Sequence, residues 1–347
     1  MSTKRTREDD VVDPASRAVV AVKRGRADAT GNTQAIVEAG PMRTSSLASP
    51  IMLLTGHAGE IFSAEFSPDG KAIASASYDR QVFLWSTFGE CENYAAMLGH
   101  AGAVLDVHWS ADGSKLYTAS TDKMCAVWDA TTGERIRRLR GHASIVNSCA
   151  PARGSAMLAS GSDDGTIKIW DTRRRGYVHS LGNKYQVTAV TYGASADQVI
   201  TAGLDNVIKV WDLRRQDVAF EMEGHRNTVT GLRLSPDGNH VLSNSMDNTV
   251  RMWDVRPYAK TRMTGVFRGA KHGFEKNLIR CAWTPDGKHV GAGSDRDVYV
   301  WDVATGSIKY KLPGHSGSVN CVDFHPTEPI VLSASSDKKI FVGELAL

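Results

Sequence analysis

Cysteine is scarce in this chain: five among 347 residues, at 91, 125, 149, 281 and 321, widely spaced and never as C-x-x-C. An odd, scattered set excludes a disulfide framework and a zinc ribbon, and suits a reducing compartment. An excess of one charge is also missing. Forty-one Lys and Arg face 38 Asp and Glu, a net of +3, so no strongly charged tail is implied. No apolar run approaches the about eighteen residues of a membrane helix. The N-terminus, Met1-Ser-Thr-Lys-Arg-Thr-Arg-Glu-Asp-Asp10, carries no apolar core of a secretory signal. There is no G-x-x-x-x-G-K-[ST], H-E-x-x-H or G-x-S-x-G run. No catalytic, metal-binding or cofactor-binding set is therefore expected, and no small-molecule substrate.

What is present is a repeat. Tryptophans fall at 85, 128, 170, 211, 253 and 301, with Gly343 at the aligned seventh position, in steps of 43, 42, 41, 42, 48 and 42. Gly-His pairs end at His57, His100, His142, His225 and His315, each 28 residues before its aligned position. An Asp stands six residues before all seven positions: Asp79, Asp122, Asp164, Asp205, Asp247, Asp295 and Asp337. A period near forty-two is the mark of a repeat architecture. Within one period, short apolar runs such as Val229–Leu234 and Thr249–Trp253 are separated by turn sequences such as Ser235-Pro-Asp-Gly238. Short strands at this spacing mean an all-β array.

These phrases, for example Gly161-Ser-Asp-Asp-Gly-Thr-Ile-Lys-Ile-Trp-Asp171, resemble the WD-repeat family. The resemblance implies an all-β, seven-bladed WD-repeat β-propeller with one four-stranded blade per repeat. The seventh repeat runs out at Leu347, too early for its own outer strand. Pro50–Leu54 should supply that strand and close the ring, removing an open edge. The expected organisation is a disordered arm over 1–49, with no aromatic residue and no repeat, and the propeller over 50–347.

His, Ser, Asp and Trp together invite a hydrolase reading. The same four types recur as His57, Ser77, Asp79, Trp85; His100, Ser120, Asp122, Trp128; His142, Ser162, Asp164, Trp170; and His225, Ser245, Asp247, Trp253. An enzyme has no use for four copies of one active site. The family resemblance implies instead a hydrogen-bonded lock within each blade, from Asp to His to Ser to the Trp indole. Blade four, with Asn183 and Gly203, blade six, with Gly293, and blade seven, with Gly343, should be softer.

From Glu134 to Arg175 nine Lys or Arg meet four Asp or Glu. This excess could touch RNA phosphates, but without an interleaved aromatic platform a solvated rim is the expectation, and RNA contact should be indirect. Lys23-Arg-Gly-Arg26 is a nuclear-import candidate that is equally explained as a solvated arm.

Outside the generic positions, Ser49-Pro-Ile-Met-Leu-Leu54, Met246-Asp-Asn-Thr-Val250, Phe274-Glu-Lys-Asn-Leu278 and the Gly343-Glu-Leu ending resemble the spliceosomal branch of the family. That resemblance implies a nuclear, non-catalytic scaffold in pre-mRNA splicing, a monomeric propeller bound to the large U5 core protein and other spliceosome proteins, away from membranes. An alternative is a substrate receptor of a cullin-RING ubiquitin ligase, through the W-D-x-R boxes ending at Arg173, Arg214 and Arg256. By the family's habit, partners grip the starts of the innermost strands and the turns before each Asp. Here those positions are Glu60, Phe62, Tyr78, Leu105, Thr121, Asn147, Asp163, Leu204, Met246, Asn277, Ile279 and Asn320. The long sixth period, with Pro257 to Met263 and Phe274 to Lys276 as its additions, should mark a loop on one side that reaches a partner.

Overall fold

In a computed structural model, which describes residues 43–345, twenty-eight strands (β1–β28 in chain order) form seven four-stranded antiparallel sheets. No helix occurs among the described residues. Blade one is typical: β2 (Ile61–Phe66), β3 (Ala72–Ser77), β4 (Gln81–Ser86) and β5 (Asn93–Leu98) pair in that order. Blades two to six repeat this order over residues 104–140, 146–182, 187–222, 229–268 and 281–312. The inner strands β2, β6 (Val104–Trp109), β10 (Val146–Pro151), β14 (Val187–Tyr192), β18 (Val229–Leu234), β22 (Cys281–Trp283) and β26 (Val319–Phe324) lie side by side around the centre.

Each sheet is covered on both faces, so its strands read as nearly unbroken small and apolar runs. Ala72-Ile-Ala-Ser-Ala-Ser77 is buried at five of six positions. Seven apolar clusters fill the seven spaces between neighbouring blades. No blade has a core of its own; each is stable only between two others.

Closure is by the N-terminal strand. β1 (Ile51–Thr55) pairs antiparallel with β28 (Lys339–Glu344), from Ile51 opposite Gly343 to Thr55 opposite Lys339. At Gly343, where other repeats hold Trp, an added Cβ would meet the Pro50 carbonyl (3.8 Å) and the Ile51 side chain (4.0 Å) at ordinary contact distance.

Two expectations need correction. Residues 43–49, assigned to a disordered arm, are placed against blade seven: Arg43 Nε donates to Glu344 (2.8 Å), the Ser46 amide and hydroxyl donate to Glu328 (2.7 and 2.9 Å), and Leu47 is buried. The rest of that arm, 1–42, lies outside the described residues. The sixth-period additions also do not form one loop. Residues 255–262 join β20 (Thr249–Asp254) to β21 (Met263–Arg268), whereas 269–280 lead from β21 into blade six. Because Trp253 pairs with Met263 and Thr249 with Arg268, the two segments leave opposite ends of the same strand pair. The second has consumed part of an inner strand, since β22 is only Cys281–Trp283.

Candidate protein-interaction face and the relays beneath it

In blade one the Trp85 indole N–H donates to Ser75 Oγ (2.8 Å), Ser75 meets His57 Nε2 (2.8 Å), and His57 Nδ1 meets Asp79 Oδ2 (2.8 Å). Asp79 also accepts the amides of Ala58 and Gln81. Burial pushes the His57 imidazole down, against the pull of Asp79. A neutral ring then assigns every proton: Trp N–H to Ser oxygen, Ser O–H to His Nε2, His Nδ1–H to carboxylate. Thr118, Ser160 and Ser243 hold the same place under His100, His142 and His225.

The lock is thus present, but its hydroxyl is not the expected one. Ser77, Ser120, Ser162 and Ser245 stand two residues further on and accept the amides of Asp79, Asp122, Asp164 and Asp247. They shape the turn that carries the Asp rather than linking His to Trp. Alternate residues of a strand share a face, so both members of each pair are buried and only geometry separates them. Relay hydroxyls and His side chains are sealed from solvent. No substrate could reach a Ser nucleophile there.

The atypical blades differ in kind. Blade four retains its hydroxyl, Thr201, which accepts from Trp211 (2.8 Å), while the Lys209 ammonium bridges Asp205 (2.8 Å) and Asn183 (2.7 Å) in the imidazole's place. Blade six has Gly291 at the hydroxyl position, and Trp301 donates to the Arg268 carbonyl instead (2.9 Å). His272 there lacks the carboxylate and hydroxyl partners, and burial pushes it down to about 4. Blade seven keeps His315 between Asp337 (3.0 Å) and Ser333 (2.9 Å), and Phe341 meets the imidazole in a T-shaped contact at 4.7 Å where Trp is absent.

The Asp turns and the connections between blades emerge together on one face of the ring. Tyr78 (64 % exposed) and Leu204 (49 %) stand out on it, with Phe62 packed edge-on against Tyr78 at 6.5 Å. Glu60, Leu105, Thr121, Asp163 and Met246 are half-buried. Three expected surface residues are not available. Ile279 is fully buried, and Asn147 and Asn320 spend their amides on neighbouring blades: Asn147 on the Val187 carbonyl (3.0 Å), Asn320 on that of Ile61 (2.7 Å). A buried amide needs such partners. Asn277 is half-buried and bonded to Asn320 and Ser336 (both 3.0 Å), which holds the 269–280 connection over blade seven. Just before it, Phe274 is wholly exposed. On the opposite face the W-D-x-R arginines Arg173 and Arg256 are clasped by their own Asp171 and Asp254, while Arg214 reaches Asp197.

Sequence reasoning missed an ion network in the channel. Arg233 on β18 reaches Glu65 on β2 (2.5 Å), and Arg280 reaches Asp106 on β6 (3.5 Å) and the Asn147 carbonyl on β10 (2.7 Å). Both arginines span the ring, in a central cavity of about 410 Å³. His108 lies between Glu65 (3.1 Å) and Asp106 (3.4 Å). Burial alone would lower this imidazole, but the two carboxylates outweigh it and hold it up at about 9. Burial would raise Asp106; Arg280 and His108 reverse that and pull it far down. The available signal was the polar residue at channel-facing positions of inner strands, Asp106 lying 43 residues after Ser63 and His108 43 after Glu65.

Comparison with known proteins agrees with the repeat. The family model described as WD domain, G-beta repeat matches seven segments: 48–86, 92–129, 133–171, 176–212, 217–254, 265–302 and 306–342. The U5 small nuclear ribonucleoprotein 40 kDa protein of Bos taurus is 58 % identical over 314 residues, covering 90 % of this chain and 88 % of the relative. The protein of that name from Dictyostelium discoideum is 48 % identical, covering 88 % and 87 %. Pre-mRNA-splicing factor cwf17 of Schizosaccharomyces pombe is 46 % identical, covering 87 % and 90 %.

Proposed function

The chain belongs to the WD-repeat family, and from that premise we propose that it is a non-catalytic scaffold of the U5 small nuclear ribonucleoprotein, acting in pre-mRNA splicing in the nucleus. A propeller alone carries no function. The observation that carries this reading is similarity along nine-tenths of the chain to proteins named for that particle and that process. Its partner is the large U5 core protein, gripped by the face that bears the Asp turns. Support for the face comes from Tyr78, Leu204 and Phe274, apolar side chains left exposed where no blade core needs them. Exposed aromatic anchors on a rigid platform are what partner surfaces use.

The test has two stages. Affinity purification of the tagged chain from nuclear extract should recover U5 RNA and splicing proteins; recovery of a ligase adaptor instead would favour the W-D-x-R alternative. Pull-down of the large U5 protein should then weaken by about tenfold or more for Phe62→Ala/Tyr78→Ala and for Phe274→Ala. Undiminished binding by both folded variants would move the partner to the outer blade rims.

A further inference from the structure

The connection 269–280 leaves β22 with three residues where β2 has six. In return it lays Glu275 and Asn277 over blade seven. Asn277 Nδ2 donates to Glu275 Oε2 (3.0 Å) and to Ser336 Oγ (3.0 Å), which belongs to the Asp turn of blade seven. Ser336 in turn bonds the carboxylate of Glu60, the residue just before β2 of blade one. Connections from blades one, six and seven thus bring two carboxylates to one hydrogen-bonded pair, Asn277 and Ser336, beside the channel. Lys276, between Glu275 and Asn277, is held at φ 52°, a left-handed conformation that a residue with a side chain adopts at a cost.

This pair is not neutralised. Partial burial, and then the charge of Glu275, raise Glu60 above its ordinary value; the bond from Ser336 and the charge of the exposed Lys338 offset this only in part. Neither carboxylate makes an ion pair among the described residues. Like charges held together disfavour their own ionised form, so the arrangement calls for a cation from outside. The surroundings specify more. The Tyr78 amide donates to the Glu60 carbonyl (2.8 Å), and the Tyr78 ring, 64 % exposed, meets Phe62 edge-on at 6.5 Å. Phe274, wholly exposed, adjoins Glu275 in the chain. Open aromatic faces attract a guanidinium or ammonium group, and carboxylates beside them bind the same group.

We propose that the protein partner at this face presents a basic segment, with a cationic side chain between Glu60 and Glu275 and against the Tyr78 ring. Both carboxylates would repel a nucleic-acid backbone or an acidic peptide, and a purely apolar partner would bury them unpaired. The inference rests on reading this face as the partner surface, and adds the charge of what that surface takes.

Fluorescence anisotropy of the full chain in low salt, with a labelled arginine–glycine repeat peptide and a glutamate–glycine peptide as control, tests the charge. The basic peptide should bind, and less tightly as added salt screens it. Glu60→Gln/Glu275→Gln should bind it at least about tenfold more weakly, and Tyr78→Ala about threefold or more. The glutamine pair keeps shape and removes a like-charge contact, so its melting temperature should equal or exceed that of the parent. Pull-down of the large U5 protein with the same variants separates the two readings. If that protein ignores the parent while the basic peptide binds and needs both glutamates, the partner assignment fails and the charge inference stands. The inference is overturned if the basic peptide does not bind, binds no better than the acidic control, or binds either variant as tightly as the parent. Undiminished binding of the large U5 protein by the glutamine pair also overturns it. So does a lower melting temperature of that pair, since the two glutamates would then serve the fold.

Discussion

Ser160 and Ser162 differ by one alternation along the same strand, and the difference is what each hydroxyl touches. Ser160 joins His142 to Trp170, whereas Ser162 accepts one turn amide. Removing Ser160 leaves a buried indole N–H and an imidazole nitrogen unpaired. Ser160→Ala should therefore destabilise the protein by about 1–3 kcal/mol, and Ser162→Ala by less. Urea melts of the two variants decide it, and an equal or larger loss for Ser162→Ala would break the relay assignment. The types in the relay were legible from the repeat; the choice between neighbours was not, because a period of two places both on one face. One residue could have settled it. Blade four keeps Trp211 but has Thr201 followed by Gly203, so only the earlier position still carries a hydroxyl.

For elements, legibility followed the repeat. Strands and turns recur at fixed offsets, so seven blades and the clasp are legible in the sequence. Segments outside the period could not. Residues 43–49 contain a single large apolar side chain, Leu47, and their hold on blade seven depends on Glu328 and Glu344, some 300 positions away. The two additions of the sixth period looked like one loop because sequence distance says nothing about which strand end a loop leaves. The clasp gives a graded expectation. Deleting 1–42 should leave the melting temperature unchanged. Deleting 1–49 should lower it modestly, through loss of Leu47 and its flanking bonds. Deleting 1–55 should lower it most and promote aggregation, since β28 then presents a bare edge. Scanning calorimetry on the three truncations checks the order, and equal melting temperatures for the first and last would refute closure by β1.

At the scale of the whole molecule, apolar clusters fill the spaces between neighbouring blades, while charge joins blades one and two and also reaches across the channel to distant ones. Glu65 in blade one meets Arg233 in blade five, and Arg280 ties the edge of blade six to blades two and three. Breaking such a network strands a buried charge, which is costly even where the intact network adds little. His108 makes it sensitive to pH. Its pKa is held up at about 9, above an ordinary imidazole, so its contribution is fully present below about 6.5 and is lost as pH rises through about 9. The relays run the other way. Their histidines, such as His142, are pushed down by burial, and Asp164 is held at about 2, where bonds from Thr166, Ala143 and His142 outweigh burial. That stability is present above the ordinary values and is lost as pH falls, first through the lowered histidine range and then from about 4 toward 2. The propeller should thus be most stable in mildly acidic to neutral solution and weaken on both sides. The buried thiols Cys125, Cys281 and Cys321, pushed up to about 12 by burial, add a second alkaline loss. That loss is common to parent and variant and cancels in their difference. Between pH 6.5 and 9 the parent should lose up to about 3 kcal/mol through His108, and His108→Gln should lose little over the same window. Urea melts at pH 6, 7.5 and 9 measure both curves. Parallel curves would mean that His108 does not carry the charge that links blades one and two to the cross-channel arginines.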